Sequence, residues 1–518
     1  MKRIWVAFWL LAPSCFAEMM NAVRTESGLI SGIAGRDSTI TVFKGIPYAE
    51  PPVGNLRWAA PQAKSSWTGI RKAAEFGNGC AQTFENVSFP KSEDCLYLNI
   101  WTPARSESDA LPIMFWIHGG GLSVGSSSEP LYDGEELAKK GVVVVTLNYR
   151  LNVFGFFAHP ELTKESAHHA SGNYGFLDQI AALQWVQRNI RAFGGDPGKL
   201  TIFGQSGGAH AVNSLTASPL SKGLFRAAIS QSGGGISSGS SPFGSAPSLQ
   251  ESEKIGAQFA ESLGAKSLAD LRNLPADALL KALGANSPGM FGARRVPISN
   301  EIDGYFLPES LEAIFLQGKQ NKVAMMVGST SDEGQHMTHG APVRQYLENV
   351  RKEYGDRAEQ FLRLYPGDTE QAAKISQQLQ FADRTAAGSM ELAAAVRKNG
   401  GNAFLYFFSH LDTGGYNSEL PSQGLMLGAD HGAELPYVFG LLNHWKKAAP
   451  ENDRIMQDRM MRYWTNFAKN LDPNEPGLPA WKLFDEHENA VMSLEDDPGM
   501  KPHPRAEQIR FIRENARK

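Results

Sequence analysis

The sequence predicts an α/β fold built on a largely parallel sheet, and two observations carry that expectation. Short, nearly continuous apolar runs recur at Leu111 to Ile117, Val142 to Leu147, Leu200 to Phe203, Ala227 to Ser230, Val323 to Val327 and Phe404 to Phe408. Strands read this way when both of their faces are covered and neither has to meet water. Helical patterning lies between them, as in Leu177 to Ala192, where Leu177, Ala181, Gln184, Trp185 and Arg188 fall at helical spacing, and in Glu251 to Leu263. Strand followed by helix, repeated, is the pattern of a sheet with helical crossovers.

Ahead of these runs, Thr39 to Ala49 and Leu96 to Thr102 alternate or run apolar with β-formers between Gly- and Pro-rich joints, so the first hundred residues or so read as strands and loops. Residues 235–320 and 340–400 carry helical patterning and few strand signals, and are expected to form helical excursions packed over one side of the sheet. The stretch Gly233 to Ser241 resembles a linker in composition, yet it follows a core strand directly and reads as a loop near the strand ends. With no linker and no internal repeat, residues 18–518 are read as a single domain.

Hydrophobic residues at 42%, charged residues at 20% and a formal charge of -4 exclude a disordered chain, and give no electrostatic reason to expect nucleic acid or an anionic membrane as partner. Small-molecule chemistry is the better expectation. Residues 1–17 stand apart: Lys2 and Arg3 precede the apolar run Ile4 to Ala12, and Pro13-Ser14-Cys15-Phe16-Ala17 ends small, the layout of a secretory leader cleaved after Ala17. The run of about nine apolar residues is too short to span a bilayer, which takes ~20, and nothing after Ala17 is long enough either. A secreted or periplasmic protein follows, with lipoprotein-type use of Cys15 as the alternative. Cleavage removes Cys15 and leaves Cys80 and Cys95, an even pair in an oxidising compartment, expected as a disulfide stabilising by about 3 kcal/mol on the chain-entropy account.

Chemistry enters at Gly204-Gln205-Ser206-Gly207-Gly208, which follows an apolar strand and precedes a helix-compatible segment, Ala209 to Ala217. A Gly-x-Ser-x-Gly turn in that setting holds its serine at a sharp, strained position with the hydroxyl presented at the end of the sheet, while the glycines keep strand and helix from colliding. The pentapeptide alone arises by chance in glycine-rich chains. Its flanking strand and helix make Ser206 the candidate nucleophile of an α/β-hydrolase fold: a central, mostly parallel sheet with helices on both faces and helical excursions over the active site. A serine attacking an acyl carbon places negative charge on oxygen, and each preorganised amide that meets it is worth roughly 3 kcal/mol. His118-Gly119-Gly120-Gly121, directly after Leu111 to Ile117, is a run whose backbone can approach a ligand unhindered, so the amides of Gly120, Gly121 and Gly207 are the candidate donors.

The remaining groups should come from loops after later strands, acid before histidine. After Val323 to Val327 comes Gly328-Ser329-Thr330-Ser331-Asp332-Glu333-Gly334; after Phe404 to Phe408 a long loop ends in Gly428-Ala429-Asp430-His431-Gly432. Histidine suits the role because its ordinary pKa, about 6.5, lets it take the serine proton and return it to the leaving group, while a carboxylate fixes its tautomer. Residue types alone leave Asp332 and Glu333 both open as the acid, and leave His336, His339 and His410 open beside His431.

Four segments narrow the choice. Phe193-Gly194-Gly195-Asp196-Pro197 through Ser206-Gly207-Gly208, Glu93-Asp94-Cys95-Leu96-Tyr97-Leu98-Asn99, Asp332-Glu333-Gly334, and His431-Gly432-Ala433-Glu434-Leu435-Pro436-Tyr437-Val438-Phe439-Gly440 together resemble the type B carboxylesterase and cholinesterase family, in order across the mature chain. The resemblance implies Glu333 as acid, His431 as base, Gly120, Gly121 and Gly207 as oxyanion donors, a Cys80 to Cys95 disulfide, and Ser232 in Gln231-Ser232-Gly233 as a support for the triad. Gln205 and Gly207 depart from the Glu and Ala that many family members carry there.

The implied reaction is hydrolysis of a small carboxylic ester by way of an acyl-enzyme, with no cofactor and no metal; the 12 histidines and two mature cysteines show no His-x-x-x-His or Cys-x-x-Cys pairing. Carbamates, amides or thioesters would use the same groups, and a non-catalytic binding protein is the other class this fold hosts. Residues 81–94 hold no tryptophan, where cholinesterases carry the one that meets choline, so choline esters are not expected. Phe84, Phe89, Phe291, Met337 and Tyr437 are candidates for an apolar pocket, and Arg294 and Arg295 for an anionic substrate.

Overall fold

The computed structural model describes residues 22–516 apart from 85–86, 238–245, 285–297, 336, 339, 412–425 and 445–448. The leader, Phe291, Arg294, Arg295, His336, His339 and part of the Gly233 to Ser241 loop therefore lie outside the described residues. Among the described residues eleven strands form the central sheet. In chain order they are Ile33–Ala34 (β1), Thr41–Pro47 (β2), Tyr97–Thr102 (β3), Leu111–Ile117 (β4), Val143–Leu147 (β5), Gly195–Gln205 (β6), Ala227–Gln231 (β7), Ala324–Thr330 (β8), Ala403–Phe408 (β9), Ala490–Leu494 (β10) and Gly499–Pro502 (β11). They pair in the order β11-β10-β9-β8-β7-β6-β4-β5-β3-β2-β1. From β10 across to β5 every pairing is parallel; β11 at one edge and β3, β2 and β1 at the other run antiparallel to their neighbours. The mostly parallel α/β-hydrolase sheet expected from the sequence is the sheet observed.

Strand β4 shows why the apolar runs are continuous. Successive side chains point to opposite faces: Ile113, Phe115 and Ile117 enter one core and Met114 and Trp116 the other, all fully buried. The first core is closed by helices Tyr174–Asn189 (α1), Gly207–Ala217 (α2), Leu249–Ser262 (α3) and Glu370–Lys398 (α4), and the second by Glu451–Asn470 (α5), whose Met456, Met460, Trp464 and Phe467 lie against it.

Boundaries shift where caps outrank periodicity. Ser248 accepts from the Glu251 amide while the Glu251 carboxylate accepts from Ser248, a capping box that starts α3 at Leu249 rather than at Glu251. Helix α1 ends at Asn189 and tightens into the turn Ile190–Phe193, stopped by Gly194 at φ 76°. The segment 340–400 is only partly an excursion: α4 is the crossover between β8 and β9, packed on the sheet through Ala386, Ala387, Met390 and Ala393. Cys80 and Cys95 are joined as a disulfide. Among the described residues no helix is long and apolar enough to cross a membrane.

Candidate active site

Ser206 sits between the end of β6 and the start of α2 with φ 58° and ψ −124°, a conformation costly for any residue with a Cβ and held because its surroundings leave no other. Its amide donates to Gln231 O at 2.8 Å, extending the β6–β7 ladder one residue past the strand. The flanking glycines are steric requirements. A Cβ on Gly204 would stand 2.6 Å from the Gly208 backbone, and one on Gly208 would stand 2.0 Å from Ile117 O. Strand and helix can cross this closely only without side chains, and the crossing lifts Ser206 to the strand end with 2% of its surface exposed. Its Oγ has no hydrogen-bond partner among the described residues.

The glycine run lies directly against this turn. A Cβ on Gly119 would meet Gln205 O at 2.9 Å and Ser206 Cβ at 3.3 Å, and Gly121 N lies 2.7 Å from where a Cβ on Gly207 would be. Gly120 and Gly121 both have positive φ, 98° and 58°, which favours residues without a Cβ. His118 steadies the run: its Nδ1 donates to Gly119 O at 2.8 Å, its ring stacks on Tyr149, and the Tyr149 hydroxyl donates to His118 O at 2.9 Å. Burial pushes the His118 pKa down to about 4, so the ring is a neutral brace. The amides of Gly121 and Gly207 therefore sit close together, at the N-terminus of α2 where the helix dipole favours negative charge.

Glu333 and His431 meet from loops after β8 and β9, and Gln205, the residue before Ser206, bonds to the same histidine. Glu333 is fully buried; its Oε1 accepts from Ser232 Oγ at 2.6 Å and from Thr330 N at 2.8 Å, and its Oε2 accepts a short hydrogen bond from His431 Nδ1. In the neutral ring that bond fixes the tautomer, leaving the lone pair on Nε2. Burial opposes charge on His431, but Glu333, with Glu434 and Asp430 behind it, outweighs burial and raises the ring above its ordinary pKa. Asp430 and Glu434 are themselves pushed up to about 7, chiefly by burial. Glu434 Oε1 accepts from Gln231 Nε2 at 3.1 Å, and Gln231 Oε1 accepts from Trp464 Nε1 at 3.0 Å.

Of the alternatives left open by residue type, Asp332 and His410 are bonded elsewhere, and His336 and His339 lie outside the described residues. Asp332 does not reach His431: its Oδ1 accepts from Gln378 Nε2 at 2.7 Å and its Oδ2 from Leu427 N at 2.8 Å, while Asp332 N donates to Ala429 O and Ser331 Oγ accepts from Ala429 N. It fastens the histidine loop to α4. His410 bonds to Asp453 and Asp496, tying the end of β9 to the start of α5. Of the candidate pocket residues, Tyr437 is buried against Phe408 and His410, Phe89 is half-buried against Gly79, and Phe84 is exposed. Sequence reasoning missed Gln82, inside the disulfide loop, whose amide donates to Gly125 O and accepts from Gly125 N, both at 2.9 Å, stitching that loop to the segment after the glycine run. Only its position between the cysteines hinted at this. Among the described residues no cluster of three or more His, Cys, Asp or Glu is arranged to hold a metal ion.

Sheet topology and the turn at Ser206 together define an α/β hydrolase. The Carboxylesterase family profile matches residues 20–512. The chain is 36% identical over 493 residues to the fumonisin B1 esterase of Sphingopyxis macrogoltabida, covering 92% of this chain and 86% of that one. It is 32% identical over 536 residues to the acylcarnitine hydrolase of Mus musculus (95% and 90%) and 34% identical over 533 residues to the cocaine esterase of Homo sapiens (94% and 90%). The chain belongs to the carboxylesterase family and is a carboxylic ester hydrolase.

Proposed function

We propose that residues 18–518 form one catalytic unit that hydrolyses carboxylic esters by a Ser206–His431–Glu333 acyl-enzyme mechanism. His431 Nε2 takes the Ser206 proton as Oγ attacks the acyl carbon, then delivers it to the departing alcohol; water, deprotonated by the same nitrogen, releases the acid and restores the serine. Glu333 stabilises the imidazolium formed in each half, and Ser232 and Thr330 hold Glu333 in place. The amides of Gly120, Gly121 and Gly207 meet the charge on the former carbonyl oxygen. The observation that carries this reading is the bonded chain Ser232–Glu333–His431, tied through Gln205 to the residue before a serine held at positive φ.

The substrate is taken to be a small ester with a bulky alcohol or acyl part, in line with the fumonisin, acylcarnitine and cocaine named for the relatives. The leader-like residues 1–17 and the Cys80–Cys95 disulfide support export to an oxidising compartment. The test is turnover of nitrophenyl esters by the mature chain from Glu18, with Ser206→Ala beside it. Loss of nearly all turnover in Ser206→Ala is expected; equal turnover by both proteins would remove Ser206 from the mechanism.

A further inference from the structure

We propose that Gln205 is a positioning residue that caps the base in the resting enzyme, a step that rests on the mechanism above. Its side-chain Nε2 donates to His431 Nε2 at 3.1 Å. That is the lone pair Ser206 needs, and Ser206 Oγ meanwhile has no partner among the described residues. With His431 Nδ1 donating to Glu333, the neutral ring can only accept at Nε2, so it is the amide nitrogen of Gln205 that bonds to the neutral ring.

The place for this side chain is built. Gln205 is 5% exposed and lies between two glycines: a Cβ on Gly119 would stand 3.2 Å from Gln205 Oε1, and one on Gly432 would stand 3.5 Å from Gln205 Nε2. Gln205 ends β6 and Gly432 follows His431, so the fold brings the amide and the ring together across 226 residues of chain.

The capping has a chemical purpose in this setting. The titratable groups facing His431 are Glu333, with Asp332 behind it, from the loop after β8, Asp430 and Glu434 from its own loop, and Tyr406 on β9 behind Glu333 and Glu434. Every carboxylate among them favours the imidazolium once ionised, and an imidazolium cannot accept the serine proton. An N–H donated to Nε2 favours the neutral ring instead and keeps its lone pair defined until substrate binding lets Ser206 take the amide's place.

The test is the pH dependence of fluorophosphonate labelling of Ser206 in the full mature chain. It is measured for wild type, for Gln205→Met, which keeps the length without a donor, and for Gln205→Glu, close to isosteric, with melting temperatures to confirm folding. The acid limb should move up by about 0.7 pH unit in Gln205→Met, the equivalent of one ordinary hydrogen bond to the neutral form. In Gln205→Glu it should move up by more than about 1 unit, since a carboxylate then faces the ring. The high-pH plateau of Gln205→Met should match or exceed wild type. A limb that stays or moves down in Gln205→Met overturns this inference alone, as does a plateau about tenfold lower, which would make Gln205 a support for the serine's attack rather than a cap. Wild-type protein never labelled at Ser206 overturns the nucleophile assignment and this inference with it.

Discussion

Replacing Gly208 with alanine tests how far the chemistry depends on one close crossing. A Cβ at Gly208 would lie 2.0 Å from Ile117 O and 2.9 Å from His118 O. Carbon and oxygen do not pack nearer than about 3 Å, so β4 and α2 must part by about 1 Å. The glycine run continues from Ile117 and His118, and Ser206 moves with α2, so the separation falls between the proposed nucleophile and the Gly120 and Gly121 amides. A misplacement of that size costs about 10²-fold in rate, and complete loss of one oxyanion donor about 10²–10³-fold. Strain of this kind costs only about 1–3 kcal/mol in stability. With an unfolding entropy of about 2 cal/mol/K per residue, a chain this long should lose only about 1–3 °C in Tm. The expected result is a folded protein whose kcat on a nitrophenyl ester falls about 10²-fold or more. Gly198→Ala, near the exposed start of β6, is the control. A folded Gly208→Ala protein with kcat within about threefold of wild type would refute the argument that the crossing sets the oxyanion geometry.

Three further outcomes follow from the same contacts. In the proposed mechanism His431 must be neutral to act, and Glu333, Glu434 and Asp430 outweigh burial in raising its pKa, so the acid limb of kcat/KM should have its midpoint above 6.5; a midpoint below about 6 would contradict the site electrostatics. By linkage, that raised pKa gives a stability contribution fully present below the unfolded value and lost as pH rises through the folded one, opposite in direction to activity. Arg150 and Asp178 form a bidentate pair at 2.8 and 2.7 Å with both side chains buried, so Asp178→Ala should cost about 3–5 kcal/mol in denaturant unfolding, because it strands a buried cation. Cys80 and Cys95 should not react with thiol reagents until reduced, and the double Cys→Ala variant should lose about 3 kcal/mol in the same assay.

Much of this fold can be read from the chain because a strand buried on both faces has to be apolar throughout: the apolar run Leu111–Ile117 coincides with its strand. Elements with mixed faces were not. Gly499–Pro502 is a half-exposed edge strand with no run to reveal it, and the polar stretch Asp196–Lys199 belongs to β6 only because its backbone continues the strand. The same division holds at the site. Ser206 and the glycine run are legible because their constraint is local and steric. The choice between Asp332 and Glu333 is not, since both are buried carboxylates on one loop and differ only in which partner lies across the sheet. Resemblance to a family points to Glu333, the carboxylate that bonds to His431; the bonds from Gln205 to His431 and from Gln82 to Gly125 depend on the assembled fold.

The backbone past the strand ends explains why these side chains hold their places. Ser206 N donates to Gln231 O, Ser232 N to Gly328 O, Ser331 N to Phe408 O and Ser409 N to Leu494 O, at 2.8 to 3.0 Å. Each parallel strand from β6 to β9 thus donates once more into its neighbour after its own last residue, and the proposed nucleophile Ser206, Ser232 and the loop carrying Glu333 all sit on that extra rung. Ser206 and Ser232 take positive φ there, at 58° and 57°, where the chain must turn away while its amide stays paired. Strain of about 1–3 kcal/mol at each is held by a ladder that could relax only by giving up its own bonds. The register of the sheet, fixed by residues in its core, therefore sets the spacing among the site's side chains, and the loops beyond are left to shape what substrate reaches them.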